Sequence, residues 1–493
     1  MTSVAVFGEL GTEAGMPAGI IILRFLAMIF SFAALTAGFV MLCRPLMGER
    51  LTKLDSRRLN TAIIFIGAGV MLTVQLVWAF NLQMTPITDI KNLDRYARQI
   101  VADNSFACVD SPLNSYYIVR YQNNVPILLL YTLVYKIRNM LTGGFSHVPL
   151  IVLNTLSING AVLMTVLTSR RLFGERKALF TLALCALFMP YYTYTPYFYT
   201  DSFSIPFVAG TIYTLVIAAQ SKSRTKKIVF LLLSGTVCFI GFKLKASVII
   251  LLPALLIYLV LSVGIKRAAK AAAVWLLSFI VLLGSFNFAL NASGIISKES
   301  SDRYQFPAEH WIMMGLKDYG AFNYPDSDFS KSFKTKAERR EGNIEEIQKR
   351  ISEKGVPGMA VHLGQKAVWT YMDGTYYIAN YLEHHEKDSP LHELVLYDGS
   401  LRFPFFVYSF GYQMFLMAMI SLSALYAARK KIAGATTLLR IALFGMVLFF
   451  LIWETNARYP FNFTPIYMLL ATEGAFGLCE KRSILSHKRA KKP

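Results

Sequence analysis

Long apolar stretches separated by short polar connectors constrain this chain most. Examples are IVFLLLSGTVCFIGF at 228–242 and LLRIALFGMVLFFLIW at 438–453. The composition agrees, because 55% of the residues are hydrophobic and only 16% are charged, whereas soluble domains average about 25% charged residues. A membrane-crossing helix needs roughly 20 apolar residues. The sequence therefore predicts an all-α, polytopic membrane protein.

We predict eleven spans, an odd number that puts the two chain ends on opposite sides of the membrane. The first has no basic region before it and no clear cleavage site, so it reads as a retained span and not as a signal peptide. The eleven segments are 17–43, 60–82, 149–169, 178–199, 202–219, 228–242, 246–263, 271–290, 403–427, 436–453 and 459–479.

The net charge of +20 is distributed unevenly along the chain. Lys and Arg concentrate in every second connector, which is the positive-inside pattern of a membrane protein. This alternation argues against a nucleic-acid partner and places the acidic N-terminal tail outside and the basic C-terminal tail inside. The basic segments are 44–58, 169–177, 221–227, 266–270, 429–431 and 481–492.

One apolar segment, 125–137, is too short to be a clear span. If it crossed the membrane, the basic connector 169–177 would lie outside. We therefore predict an interfacial or re-entrant helix on the outer side. With the helical stretch 89–102 and the segment near 112–120, it would form an outer loop over 83–148.

These features divide the chain into four parts. An additional N-terminal span and basic inner loop occupy 1–59, and a transmembrane core with its outer loop occupies 60–290. Residues 291–402 are the largest polar segment and predict a small outer α-rich domain, with a helix over 336–355. The C-terminal spans and basic tail occupy 403–493.

Asp89 is the leading candidate for a catalytic residue. It follows a predicted span and begins a helix in which positions 89, 93, 96, 97 and 100 share a face. As a general base, it would take a proton from an acceptor hydroxyl. The alternative is a carboxylate that caps or stabilises the first turn of the helix.

Further candidates lie where predicted spans meet the outer side. Asp201 follows a tyrosine-rich stretch and is either a solvated carboxylate or a functional group at membrane depth. The tyrosines at 191, 192, 194, 197 and 199 form either an interfacial aromatic belt or a stacking surface for a sugar. Lys243 and Lys245 lie in a short turn, where they either extend towards water or bind a phosphate.

A late motif, WETNARYPFNFTPIYMLL, contributes Arg458 and Tyr459. Arg458 suits a phosphate or carboxylate partner, and the alternative is a local ion pair with Glu454. In the outer domain, His310 and Trp311 suit a lid over a lipid-linked sugar, although a lone histidine is more often structural. The sequence has no C-x-x-C or Cys/His cluster indicating zinc and no P-loop or hydrolase motif.

In their order, these segments resemble the GT-C superfamily of integral-membrane glycosyltransferases, especially family 39-like members related to protein mannosyltransferases and aminoarabinose transferases. The chain departs from the usual acidic pair, because Ile90 follows Asp89 and the next carboxylate is Asp94. The first span is also an addition. The segments that carry the resemblance, besides the Asp89 loop and the aromatic stretch ending in Asp201, are RRLFGERKALF at 170–180, GFKLKASVIILLPALLIYL at 241–259 and ARYPFNFTPIY at 457–467.

The resemblance implies an inverting transfer of a sugar from a polyprenyl-phosphate donor to a hydroxyl of a glycan, lipid or protein, on the outer face of a bacterial membrane. Asp89 would be the base, and Lys243, Lys245 and Arg458 would stabilise the lipid phosphate. A divalent cation held by Asp89 and Asp201 is an open alternative. A transporter or flippase of a lipid-linked sugar and a non-catalytic scaffold are the other two hypotheses.

Overall fold

The structure is a computed structural model that describes residues 18–48, 53, 55–430 and 434–490. The first part contains two long helices, a group of shorter helices and a third long helix. Their bounds are α1 Ala18–Met47, α2 Arg57–Asn81, α3 Thr88–Asp103, α4 Tyr117–Arg120, α5 Val125–Thr142 and α6 Val148–Phe173.

The middle of the chain forms the densest part of the bundle. Here α6 packs on α10, α10 packs on α11, and α11 packs on α13. The bounds are α7 Glu175–Ala186, α8 Pro190–Thr193, α9 Thr200–Phe203, α10 Ile205–Gln220, α11 Arg224–Leu244, α12 Leu251–Val263 and α13 Ile265–Ala292.

The polar segment and the C-terminal part complete the fold. The short helices lie between α13 and the long C-terminal helices, in the polar segment 291–402, which we call the outer domain after its predicted location. The bounds are α14 Lys298–Tyr304, α15 Ala308–Met314, α16 Tyr324–Lys331, α17 Lys336–Tyr371, α18 Ala379–Leu382, α19 His392–Val395, α20 Arg402–Lys430, α21 Thr436–Ile452 and α22 Thr464–Ala490.

Eight helical segments of the described chain have the length and apolar composition needed to cross a membrane, and they coincide with eight predicted spans. The predicted span at 436–453 is the 17-residue α21, and most of the predicted span at 459–479 lies in α22. Helix α5, predicted to be interfacial, is not among the eight. They are Ile22–Met47, Arg57–Asn81, Val148–Phe173, Thr200–Gln220, Arg224–Leu244, Ala246–Val263, Ile265–Ala292 and Arg402–Arg429.

The predicted span at 178–199 differs from a continuous helix. Helix α7 ends at Ala186, and an irregular stretch follows as far as α9. Buried carbonyls need hydrogen-bond donors wherever a helix is interrupted inside an apolar body. The Asn154 amide donates to the carbonyls of Tyr194, Thr195 and Tyr197 at 2.9–3.2 Å, and Gln75 donates to that of Tyr191 at 2.9 Å.

The additional first helix packs against α20. The rings of Phe39 and Phe415 stack with centroids 4.6 Å apart. Gly411 permits the close approach, because a Cβ atom there would lie 2.4 Å from the Ser31 hydroxyl. Helix α1 is thus part of the packed bundle.

The outer domain is organised around α17. The helix begins with a capping box formed by Thr335 and Glu338. Gly355, with φ of +56°, interrupts the helix, so the predicted helix over 336–355 ends in a kink and a second segment continues to Tyr371. Arg339 is only 2% exposed, and its guanidinium donates to the carbonyls of Ser330, Gln305, Arg303 and Phe333.

Replacing Arg339 with Ala should strongly destabilise the outer domain. Four carbonyls, including the buried one of Ser330, would lose a charged donor, and we expect a loss of about 3 kcal/mol or more. The adjacent Arg340 is the matched control, since its side chain is 64% exposed and pairs with Glu309 at the surface. Arg340→Ala should change stability by about 0.5 kcal/mol or less. Thermal unfolding and limited proteolysis of both full-length variants in detergent would test this, and equal effects would contradict it.

Candidate active site

A fully buried carboxylate, Asp201, forms the centre of the candidate site. Helix α9 follows the irregular stretch and carries Asp201, which is 0% exposed. Lys245, at the end of α11, forms an ion pair with one carboxylate oxygen, and Arg458 donates to the other at 3.2 Å. The structure therefore brings three predicted site residues into direct contact, and two cations share one carboxylate.

Aromatic rings surround the Arg458 guanidinium. It lies over the rings of Tyr197, Tyr199, Tyr381 and Tyr459, 5.3–5.9 Å from their centroids, and it also donates to the Tyr197 hydroxyl. Such contacts stabilise a desolvated cation. They also fix the direction of the guanidinium, whose Nε–H is buried and has no hydrogen-bond partner.

The structure shows which partners Arg458, Lys245 and the five tyrosines have. Arg458 pairs with Asp201, whereas the two carboxylate oxygens of Glu454 share the hydrogen bond donated by the Tyr459 hydroxyl, at 2.8 and 3.0 Å. Lys245 is held inside the protein with 11% of its side chain exposed. The five tyrosines of the aromatic stretch are also buried, at 0–7% exposure, and so do not form an exposed belt.

Asp89 lies in a second polar cluster next to the first. Ile87 is the N-cap of α3, and Asp89 lies in its first turn, where a carboxylate also stabilises the helix. The Asp89 carboxylate accepts hydrogen bonds from Tyr117 at 2.5 Å and from Tyr199 at 3.0 Å. Tyr199 thus touches both clusters, because the same ring packs under Arg458. The neighbouring Thr88 has φ of +48°, a conformation that is costly for a β-branched residue and is found at functional sites.

Lys243 is separate from the Asp201 cluster. Its ammonium donates to Asn287 at 3.0 Å and lies 4.4 Å from the centre of the Phe286 ring. Both Lys243 and Phe286 line a mainly apolar cavity of about 380 Å³ between α5, α6, α10, α11 and α13. Phe203 and Leu244 line the same cavity and are near neighbours in sequence of Asp201 and Lys245.

The two predicted lid residues have different surroundings. His310 is 0% exposed in the outer domain, where Nδ1 is 2.7 Å from the Ser330 hydroxyl. Burial lowers the pKa of His310 to about 3, so the ring is neutral. Trp311 lies nearer the site, with its ring 5.8 Å from that of Tyr121 and its carbonyl accepting from the Glu454 amide at 2.9 Å.

The outer domain docks on the loop that carries Arg458. Besides the Trp311 contact, Gly320 accepts from the Thr455 amide at 2.8 Å. Gly315 is needed at this contact, since a Cβ atom there would lie 2.8 Å from the Ile452 carbonyl oxygen. Lys366 donates to the Gly315 carbonyl at 2.8 Å. The outer domain therefore contacts the loop that carries Arg458 and holds it in place.

The two carboxylates considered for a metal do not belong to one ligand group. The Asp89 carboxylate accepts hydrogen bonds from two tyrosines, whereas the Asp201 carboxylate forms ion pairs with Lys245 and Arg458. In the described part of the chain, the one group of three or more clustered His, Cys, Asp or Glu ligands is His385, Asp388 and His392. These residues lie in the pattern HHEKDSPLH at 384–392, which contains no cysteine and therefore matches none of the zinc motifs considered for the sequence.

Other contributors were not predicted because they lie far apart in sequence. Tyr117 and Asn124 come from the outer loop, Tyr381 from α18 and Lys366 from α17. Asn124 links the Asp89 cluster, because it donates to the Tyr117 hydroxyl at 2.9 Å and its Oδ1 lies 3.2 Å from the Tyr199 hydroxyl. No spacing rule identifies such partners before the fold is known.

Glu454 should make stability depend on pH. Burial raises the pKa of Glu454 from 4.5 to about 7, although the Tyr459 hydroxyl, Arg458, Lys245 and Lys366 oppose the shift. The folded protein therefore binds a proton more tightly than the unfolded chain, and stability falls as pH rises from about 4.5 to 7. Burial lowers the pKa of Lys366 from 10.5 to about 8, so its own effect lies above this window.

We therefore expect the unfolding temperature of the wild type, relative to Glu454→Gln, to fall between pH 5 and pH 8. Gln keeps an acceptor for Tyr459 but does not titrate. Thermal unfolding of the two proteins across this range measures the difference. A difference that stays constant with pH would show that Glu454 is ionised throughout.

The chain was compared with known protein sequences and structures. No curated protein sequence matches the chain. Similar solved structures include ArnT from Cupriavidus metallidurans bound to undecaprenyl phosphate, with 12% identity, a TM-score of 0.35 and coverage of 85% of this chain and 78% of that one. Another is the oligosaccharyltransferase AglB from Archaeoglobus fulgidus in complex with an inhibitory peptide and a dolichol-phosphate, with 13% identity, a TM-score of 0.40 and coverage of 86% and 51%.

A family model described as "conserved hypothetical integral membrane protein" matches residues 25–475. This match spans nearly all of the bundle and the outer domain and includes every predicted site residue. With the eight apolar helices, it identifies the molecule as a multi-pass integral membrane protein. The chain belongs to the conserved hypothetical integral membrane protein family.

Proposed function

We propose that this protein is an inverting glycosyltransferase that moves a sugar from a polyprenyl-phosphate donor to an acceptor hydroxyl at the outer face of the membrane. The observation that carries the proposal is the buried pair of cations around Asp201. Lys245 and Arg458 together carry one more charge than the carboxylate they share, and the neighbouring Glu454, whose pKa burial raises to about 7, offsets this excess only when it is ionised. A buried excess of positive charge calls for an anion.

The free donor of Arg458 favours a phosphate as that anion. Its Nε–H is buried without a partner, while Nη1 is engaged by Asp201 and Tyr197. Guanidinium donors suit phosphate oxygens and gain strength in a site with little water. Lys245 supplies a second positive charge. Its ammonium lies over the ring of Tyr459, 4.5 Å from the ring centroid.

The cavity beside the cations suits a lipid chain. Most of its wall is made of Leu, Ile, Phe and Pro side chains, and Lys243 is its charged residue. An isoprenoid tail in this cavity would bring its phosphate to the end where Leu244 leads into Lys245. Lys243 would then act on the lipid at a distance from the reacting bond, and Lys245 and Arg458 would hold the phosphate itself.

Asp89 is the proposed base. Its two tyrosine partners fix the carboxylate, and Tyr199 links it to the Arg458 side of the site. Asp89 would take the proton of the acceptor hydroxyl as that oxygen attacks the anomeric carbon. The bond between the anomeric carbon and the phosphate oxygen breaks, and its electron pair stays on the phosphate, so polyprenyl phosphate leaves and the configuration inverts.

In this mechanism, the cations that stabilise the transition state are already in position before the reaction begins. Negative charge grows on the phosphate oxygen in the transition state, next to Lys245 and Arg458. Positive charge grows on the sugar ring, and the buried tyrosines lie nearby to contact the ring. Trp311 and the outer domain close the site from the side of the Arg458 loop.

The transport alternative has less support from the described residues. Glu473, a carboxylate within a predicted span, accepts from Arg440 and Thr436 and is bonded to Ser423. This charge is therefore neutralised within the bundle. A carboxylate that carries an ion or substrate through a transporter must instead exchange partners.

Replacing Asp89 with Asn should lower sugar transfer about 100- to 10,000-fold, because the base is lost while its shape remains. The assay supplies a pool of lipid-linked sugars in proteoliposomes and measures released undecaprenyl phosphate by mass spectrometry. Asp103→Asn is the matched control, since Asp103 is an exposed carboxylate at the other end of α3. Full activity in Asp89→Asn would remove Asp89 as the base.

A further inference from the structure

Glu454 is a buried acidic group that the proposed reaction does not use. It lies in the loop between α21 and α22, and only 3% of its surface is exposed. Its two carboxylate oxygens share the hydrogen bond that the Tyr459 hydroxyl donates. A buried carboxylate is costly to ionise unless cations or donors compensate it. The charged groups around Glu454 therefore decide whether it carries a proton.

Tyr459 connects Glu454 to the two cations of the candidate phosphate site. The centroid of the Tyr459 ring lies 4.5 Å from the Lys245 ammonium and 5.3 Å from the Arg458 guanidinium, while the hydroxyl of the same ring contacts Glu454. Lys245 and Arg458 both stabilise the ionised form of Glu454. The Glu454 carboxylate and a bound phosphate would therefore depend on the same two positive charges.

Two further titratable groups face Glu454 from other parts of the fold. Lys366 of α17 also stabilises the carboxylate, although its ammonium donates to the Gly315 carbonyl at 2.8 Å. Burial, with smaller effects of Asp89 and Glu454, raises the pKa of Tyr121 to about 12, so this hydroxyl stays neutral. Burial is the strongest influence on Glu454 and raises its pKa to about 7. Glu454 therefore changes its charge near neutral pH.

We propose that a lipid phosphate and a proton bind this site together, with the proton held by Glu454. The inference rests on the proposed function, because it takes Lys245 and Arg458 as the phosphate site. A phosphate there adds negative charge and offsets the two cations that stabilise ionised Glu454, so it raises the pKa of Glu454 above its value in the empty site. The coupling is reciprocal, and ionised Glu454 weakens phosphate binding by the same factor.

The affinity for a phosphate should consequently fall as pH rises. Below about pH 6, Glu454 is protonated in the empty and the occupied site, and its contribution is constant. Above about pH 7, the empty site has lost this proton, and phosphate binding must take one up again. Protonated Glu454 thus favours the occupied site, whereas ionised Glu454 favours release of the lipid phosphate.

Binding of undecaprenyl methyl phosphate to the purified full-length protein tests this proposal. This diester carries one negative charge at both pH 6 and pH 8, so the probe itself does not titrate. Glu454→Gln and the wild type should bind it equally at pH 6, and Glu454→Gln should bind it about fivefold or more tightly than the wild type at pH 8. Lys366 is present in both proteins, so the ratio of their affinities reports Glu454. Glu386→Gln, at an exposed carboxylate between α18 and α19, is the matched control and should behave as the wild type.

Proton uptake gives a second readout that does not need the variant to fold. At pH 7 in weak buffer, binding of the diester to the wild type should take up a fraction of one proton per site. An affinity ratio of about one at both pH values, or binding without proton uptake, would overturn the role of Glu454. A wild type that binds the diester no better than undecaprenol would instead contradict the phosphate site itself.

Discussion

The contact between Asp201, Lys245 and Arg458 joins three distant parts of the chain. A buried carboxylate with 0% exposure requires cationic partners, and each cation requires the carboxylate in turn. Lys245 ends α11, Arg458 lies in the loop after α21, and Asp201 follows the irregular stretch after α7. The outer domain then docks on the Arg458 loop. Removing the Asp201 carboxylate would leave two cations uncompensated inside the protein.

The interruption between α7 and α9 makes this arrangement possible. The irregular backbone that replaces part of the predicted span at 178–199 lets Tyr197, Tyr199 and Asp201 all contact Arg458. The buried amides of Asn154 and Gln75 donate to buried carbonyls of this irregular stretch. Ordinary hydrogen-bond requirements therefore explain why two polar residues lie in otherwise apolar helices.

The sequence predicts the helical spans well because apolar length is a local property, and eight of the predicted segments are found as long apolar helices. It also predicts Asp201, Lys245 and Arg458 as site residues, but it groups Lys243 with the two cations and Asp89 with Asp201. The sequence does not predict that Glu454 accepts a hydrogen bond from Tyr459 while Arg458 pairs with Asp201. The i,i+4 spacing of Glu454 and Arg458 suits a local ion pair equally well. Partners such as Tyr117, Lys366 and His392 depend on how distant loops pack, and the buried His310 shows that residue type alone does not locate a side chain.

The central claim is that the buried cations form a site for a lipid phosphate. The most direct measurement compares the binding of undecaprenyl phosphate and undecaprenol to the purified protein. We expect the phosphate to bind at least about tenfold more tightly, as for hydrogen bonds to a charged group, with the preference lost in Arg458→Gln and kept in Lys243→Met. Equal binding of the two lipids by the wild type, or an unchanged preference in Arg458→Gln, would contradict the account.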